Sequence, residues 1–174
     1  MLSALDLGGS VLTAYTWTET YGTEKATVGF QFWDKGEDPF AARARGQSED
    51  LPETGWRAAR AMLVPTGAAL VWTRGDGDAR QFIVFWPASN GTTAAPPSSF
   101  SPPMARTEIA ALLPGPGGGI LAIGSGLAVE DGTVTETRMP FLAAVRPNTE
   151  PSVLRLPVPE GHRAMDGLNL GDRL

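Results

Sequence analysis

The sequence predicts an all-β chain built from antiparallel meander units, and three observations carry that reading. Its 174 residues include 21 glycines and 15 prolines. Glycine permits positive φ and proline blocks helix interiors, so this composition favours turns and short strands over long helices. A phrase recurs: "AMLVPTGAALVW" at Ala61–Trp72 and "ALLPGPGGGILA" at Ala111–Ala122. The segments that follow are rich in Val, Ile, Phe, Thr and Trp, the residues that fit a pleated surface, and they are separated by Gly- and Asp-bearing turns.

The first unit opens on "SALDL" and Gly9-Ser10-Val11-Leu12. The strand "SVLTAYTW" leads through a turn region at Glu19–Lys25 to "ATVGFQFW" and the polar "DKGED". A long connection runs from Asp34 to Gly55, and "DPFAARARG" within it predicts a short helix, with Asp38 as cap, Pro39 in the first turn and Gly46 past the end. In the second unit "WRAARAML" carries two readings, an alternating strand or a helix with Trp56, Ala59 and Leu63 on one stripe. The tight Pro/Gly turn after it favours the strand. Gly67-Ala68-Ala69-Leu70 then starts "AALVWT", followed by the turn "RGDGDA", the strand "RQFIVFW" and "PASNG".

A second long connection, Pro87–Ala105, holds paired prolines at Pro96, Pro97 and at Pro102, Pro103, with Phe100 between them. Paired prolines favour extended polyproline backbone. This segment is the candidate interaction loop, read either as an arm lying on a neighbouring subunit or as a disordered lobe. The third unit begins with "RTEIAALL", where Thr107 could cap a helix that Pro114 ends, or where a strand could run. It continues through Gly118-Gly119-Ile120-Leu121, "GILAIGSGLAV", the turn "EDG" and "TVTETRMPFLAAV". The C-terminal "SVLRLPVPEG" reads as an incomplete fourth unit pairing back with the first. The units span about 1–50, 56–100 and 106–150 of a single β domain, and 151–174 packs back on it.

Gly9, Gly67 and Gly118 lie about 50–60 residues apart, a period typical of repeated supersecondary units. Phe82, Val84 and Trp86 share one side of their strand, Ile83 and Phe85 the other, which implies a strand buried on both faces. The pattern L-x-P-x-G-x-x-L at Leu63–Leu70, followed by a hairpin, resembles that of β-propeller blades. Propellers close with about 4–8 blades, so three units imply a partner copy if that resemblance governs. A barrel, including one of trefoil kind, a sandwich and a propeller-like domain stay open, each with at most one or two short helices.

The formal net charge is −5, and the densest basic stretch is "RAAR" at Arg57–Arg60. Phosphate neutralisation has little to work with, so no nucleic-acid partner is expected. The absence of cysteine excludes disulfides and thiolate chemistry. The N-terminus lacks a basic region and carries Asp6, which makes a poor signal peptide. No apolar run approaches the roughly 18 residues of a membrane span. The expectation is a cytoplasmic protein, or one built into a particle assembled there.

Chemistry is sparse. The single histidine, His162, has Glu160 and Asp166 nearby, but no G-x-S-x-G elbow accompanies it. Gly124-Ser125-Gly126 falls inside a strand. Asp76 and Asp78 have the spacing that begins a calcium loop, without its later glutamate, and read as a hairpin turn. Arg74-Gly75-Asp76 and Asn90-Gly91-Thr92 match export-dependent motifs with no export context. The Gly115–Gly119 run has neither the lysine nor the helix of a phosphate loop. Five tryptophans, at 17, 33, 56, 72 and 86, read as core, with stacking on sugar rings as the alternative. No catalytic, cofactor-binding or metal residue is assigned and no cofactor is expected. The expected function is non-enzymatic: a structural or accessory component acting through protein–protein contact or self-association within a virion, tail, secretion or filament assembly. The alternatives are a carbohydrate- or small-ligand-binding β module and an unrecognised hydrolase using carboxylates such as Asp76, Glu130 and Asp131.

Overall fold

The strands follow one another in chain order as three four-stranded antiparallel sheets. The computed structural model describes residues 2–19, 25–35, 44–51, 57–75, 78–88, 90 and 92–157. Sheet 1 consists of β1 (Leu2–Asp6), β2 (Ser10–Glu19), β3 (Lys25–Asp34) and β4 (Ala44–Leu51). Sheet 2 consists of β5 (Arg57–Val64), β6 (Gly67–Arg74), β7 (Gln81–Pro87) and β8 (Thr93–Phe100). Sheet 3 consists of β9 (Ala105–Pro114), β10 (Ile120–Glu130), β11 (Thr133–Val145) and β12 (Ser152–Arg155). The only helical element among the described residues is a single 3-10 turn at Pro116–Gly118.

Turn chemistry sets the hairpins. Between β10 and β11, Asp131 (φ 49°) and Gly132 (φ 77°) both take the left-handed conformation. A two-residue hairpin turn of that twist demands this, and Glu130 pairs with Thr133 across it. Pro65 and Thr66 close the equally tight β5–β6 turn, with Val64 opposite Gly67. At the β1–β2 turn the Gly8 N–H donates to Asp6 Oδ1 (2.8 Å), which also receives Lys35 Nζ at 2.7 Å. The Lys35 ammonium, with that N–H, holds the Asp6 carboxyl below the ordinary carboxylate range.

The two ambiguous stretches, "WRAARAML" and "RTEIAALL", are strands: each opens its sheet as β5 or β9. The units, however, have four strands rather than three, and the additional strand is the last of each sheet. Ala44–Gly46, the end of the expected helix, begins β4; the rest of that expectation, at 38–43, lies outside the described residues. The segment expected as a proline-rich loop contains β8. The segment expected to pair with the first unit supplies β12, which pairs with β11 instead. All three fourth strands are sheet edges, where polar side chains and proline are tolerated because one side of the backbone is unpaired.

The sheets stack by their faces. Leu12, Ala14, Val28, Phe30 and Phe32 of sheet 1 interlock with Ala68, Leu70, Trp72 and Phe85 of sheet 2. The opposite face of sheet 2, with Ala69, Val71, Phe82, Val84 and Trp86, packs on Ile120, Ala122, Phe141, Ala143 and Val145 of sheet 3. Sheet 2 is therefore the middle layer of a sandwich-like stack, as the two-sided apolar pattern of β7 predicts. The barrel alternative, trefoil included, does not hold. Among the described residues no edge of one sheet is hydrogen-bonded in a ladder to an edge of another, because buried faces, not paired edges, join the sheets.

The closest approaches between sheets involve the first strands: β5 lies against β1 and β2 on one side and β9 on the other. Arginines reinforce the second junction. Arg60 Nη1 donates to the Ala110 carbonyl, Arg80 Nη1 to the Thr107 carbonyl at 2.9 Å, and Arg106 Nε pairs with Asp78 at 3.0 Å. Two of these occupy carbonyls of β9, the inner edge strand of sheet 3.

The repeated glycine-leucine phrase marks the start of each second strand, but its register is not the same in all three. Leu12 and Leu70 are fully buried in one cluster, facing each other across the junction of sheets 1 and 2. Leu121 lies on the opposite side of β10 from the buried Ile120 and Ala122. Leu12 and Leu121 thus face onward along the stack while Leu70 faces back, an exchange of faces that a one-residue offset in an alternating strand produces. Leu121 points outward because no described sheet packs beyond sheet 3.

Candidate interaction surface

Among the described residues, face stacking leaves two sheet faces without a neighbouring sheet. On sheet 3, the side chains that alternate with the core residues form the outer surface. Leu121 is paired with Leu113 and Ala144, and Ile123 with Ala111 and Leu142. Leu142 in turn faces Leu154, which is 57% exposed. These two rows cross all four strands without a charged side chain. Below them, Leu127 is paired with Arg138, whose guanidinium reaches Ser125 Oγ at 2.9 Å. A contiguous aliphatic surface of this kind, bordered by polar groups, is the usual mark of a contact site on a folded protein.

The outer face of sheet 1 is mixed. It presents Val11, Thr13 and Tyr15 of β2 beside Trp33, Gln31 and Gly29 of β3. Tyr15 lies over Gly29 so closely that a Cβ there would fall 2.5 Å from Tyr15 Cζ. The glycine thus gives the ring a flat seat. Trp33 Nε1 donates to Thr13 Oγ1 at 2.9 Å, which fixes the indole edge.

The residues expected to form an interaction loop are divided by the fold. Phe100 is buried and stacks on Phe82, ring centroids 5.1 Å apart. Pro102 is buried, while Pro103, Pro96 and Pro97 are exposed. Pro96 and Pro97 sit in the edge strand β8, opposite a break in the β7 register between Val84 and Trp86. Pro102 and Pro103 line a cleft of about 920 Å³ at one end of sheets 2 and 3, together with Arg74, Arg80 and Arg155. Its polar groups are engaged: Arg74 with Gln81, Asp78 with Arg106, Arg80 with Glu108 at 3.7 Å, and Arg155 with the Met139 sulfur.

The other candidate groups are placed as follows. Gly124-Ser125-Gly126 is inside β10. The Gly115–Gly119 run forms the turn between β9 and β10, closed by Gly115 N–H to the Gly119 carbonyl at 2.8 Å. Asn90 Oδ1 accepts from both the Thr92 N–H and its hydroxyl, a local turn bond. Glu130 and Asp131 are exposed at the β10–β11 turn. Trp72 and Trp86 are core residues, and Trp33 is partly exposed. Asp76, Trp56, Glu160, His162 and Asp166, and the Trp17 side chain, lie outside the described residues. Among the described residues no group of three His, Cys, Asp or Glu side chains could hold a metal ion, and no helix is long and apolar enough to cross a membrane.

Sequence reasoning did not single out the outer face of sheet 3, although its signal was present. "GILAIGSGLAV" is apolar on both alternations, as "RQFIVFW" is. In β7 both faces meet another sheet, whereas in β10 only one does. Fold and surface together define a face-stacked all-β protein with an open aliphatic face. No protein-family model, curated protein or solved structure matches the chain.

Proposed function

We propose that the chain works through protein–protein contact, as a structural or accessory component of a larger assembly of virion, tail, secretion or filament type, formed in the cytoplasm. The observation that supports this reading is the aliphatic outer face of sheet 3, centred on Leu121, Ile123, Leu142 and Leu154. Leu154 is exposed and the other three are half-buried. Each Å² of apolar surface removed from water stabilises by about 25 cal/mol, so a partner covering the four gains an apolar driving force from their remaining exposed area. The cleft between sheets 2 and 3 offers no comparable argument, because its charged groups already have protein partners.

Ile123→Glu tests the reading. Ile123 faces away from the core, so the substitution is expected to leave the far-UV circular dichroism and thermal midpoint nearly unchanged. Wild-type and variant chains are compared as baits in the native extract. The wild type is expected to retain a companion, its own copies or another protein, that the variant loses at least ten-fold. Leu154→Glu, at a still more exposed position, serves as a second variant. Indistinguishable retention by all three chains would contradict the proposal.

A further inference from the structure

We infer that the open face of sheet 3 is covered by the outer face of sheet 1 from a second copy of this chain, so that two chains close one ring of sheets. The inference rests on the contact reading above and fails separately from it. Its first ground is the manner of stacking. Sheet 1 lies on sheet 2 and sheet 2 on sheet 3, and the sheets come nearest at their first strands, with β5 against both β1 and β9. Among the described residues no comparable approach joins β4, β8 and β12. The stack is therefore a fan, converging at its first strands and opening toward its fourth. Extending a fan by the same rule brings its last face round to its first.

The second ground is the composition of the terminal faces. Each internal junction joins two alternating apolar rows, one from each sheet. The outer rows of sheet 3, with Leu121, Ile123 and Leu142, repeat that composition with no sheet of the described residues against them. The outer face of sheet 1 supplies Val11, Tyr15 and Trp33, held by the Gly29 seat and the Thr13 hydroxyl. The two faces differ, so joining them is a head-to-tail contact. Such contacts close only when the rotation returns to its start. Three sheets per chain fall short of the 4–8 that close a radial array of sheets, and two copies supply six. A contact of sheet 3 with sheet 3 would leave both sheet 1 faces, with their aromatic rings, uncovered.

The test is the mass of the purified full chain by light scattering over a hundred-fold concentration range. The expected species has twice the chain mass. Trp33→Glu and Ile123→Glu, on opposite terminal faces, are each expected to weaken self-association at least ten-fold. An equimolar mixture of the two is expected to recover association through the one junction that both partners keep intact. If Trp33→Glu unfolds, Gln31→Lys tests the same face, as Leu154→Glu does for the other. A wild-type monomer overturns the second copy while leaving a different protein partner open. A dimer that survives the sheet 1 substitutions but not Ile123→Glu overturns the head-to-tail arrangement. Mass that grows without limit with concentration overturns closure.

Discussion

Trp72→Ala is expected to lower the unfolding free energy by about 3–5 kcal/mol, the range for truncating a large buried aromatic. Trp72 is 1% exposed in the junction of sheets 1 and 2 and packs edge-to-face on Phe85, ring centroids 5.0 Å apart. Removing the indole takes away contacts with both sheets, and flat β layers cannot collapse readily into the space left behind. A domain of this size has about 5–15 kcal/mol in total, so the loss is a large part of its stability. Trp72→Phe is expected to cost less than the alanine variant, because the phenyl ring keeps part of the volume and the contacts in the junction. The indole Nε1 is buried without a hydrogen-bond partner, and a phenyl ring removes that uncompensated desolvation along with some volume. Urea unfolding followed by circular dichroism measures both. A cost below about 1 kcal/mol for the alanine variant would show that sheets 1 and 2 are not packed through this residue.

Gly124→Ala is expected to be nearly as damaging, by about 3 kcal/mol, at the upper end of overpacking effects. Gly124 has no unusual φ, so strain is not the cause. A Cβ there would collide with the Glu108 carbonyl of β9 and lie 2.5 Å from Cζ of Phe141, which is fully buried. Neither neighbour can retreat, since one is backbone and the other is held between sheets 2 and 3. Gly9→Ala is the matched control. No atom lies within 4 Å of its added Cβ, so the change is expected to stay within about 0.5 kcal/mol. Thermal midpoints of the two variants in parallel give the comparison. Equal midpoints would contradict the packing of β9, β10 and β11 described above.

What the sequence disclosed follows from which physical signals are local. The inner strands were legible because burial demands Val, Leu, Phe and Trp at strand spacing, and the hairpins because positive φ demands Gly or Asp, as at Asp131-Gly132. The fourth strands were not. "ARGQSEDL" and "TAAPPSSF" carry no apolar alternation, since an edge strand needs pairing on one side and little burial. Two prolines in β8 read as loop because an unpaired edge backbone cannot be foreseen from composition. The face occupied by Leu121 was likewise hidden. Its phrase matches those of Leu12 and Leu70, but Leu121 lies on the side of sheet 3 against which no described sheet packs. Whether an apolar face is core or surface depends on the number of neighbouring sheets, and that is a property of the stack rather than of the strand.

The same dependence shapes the functional reading. Charge, lack of cysteine and scarcity of chemistry-bearing motifs led to an expectation of contact rather than catalysis, with the proline pairs as the focus. Phe100 and Pro102 are spent on packing, while Leu154 is exposed and Leu121 and Leu142 are half-buried on the outer face of sheet 3, so the mode of action is kept and its location moves.

Sheet 2 is the middle layer of the stack, covered on both faces. Amide hydrogen exchange of the native chain tests this most directly, because exchange rates report the opening free energy of each strand. The prediction is that amides of β6 and β7 exchange only through global unfolding, while those of the four-residue edge strand β12 exchange at least a hundred-fold faster. Amides in β6 and β7 that exchange as readily as those in β12 would contradict it.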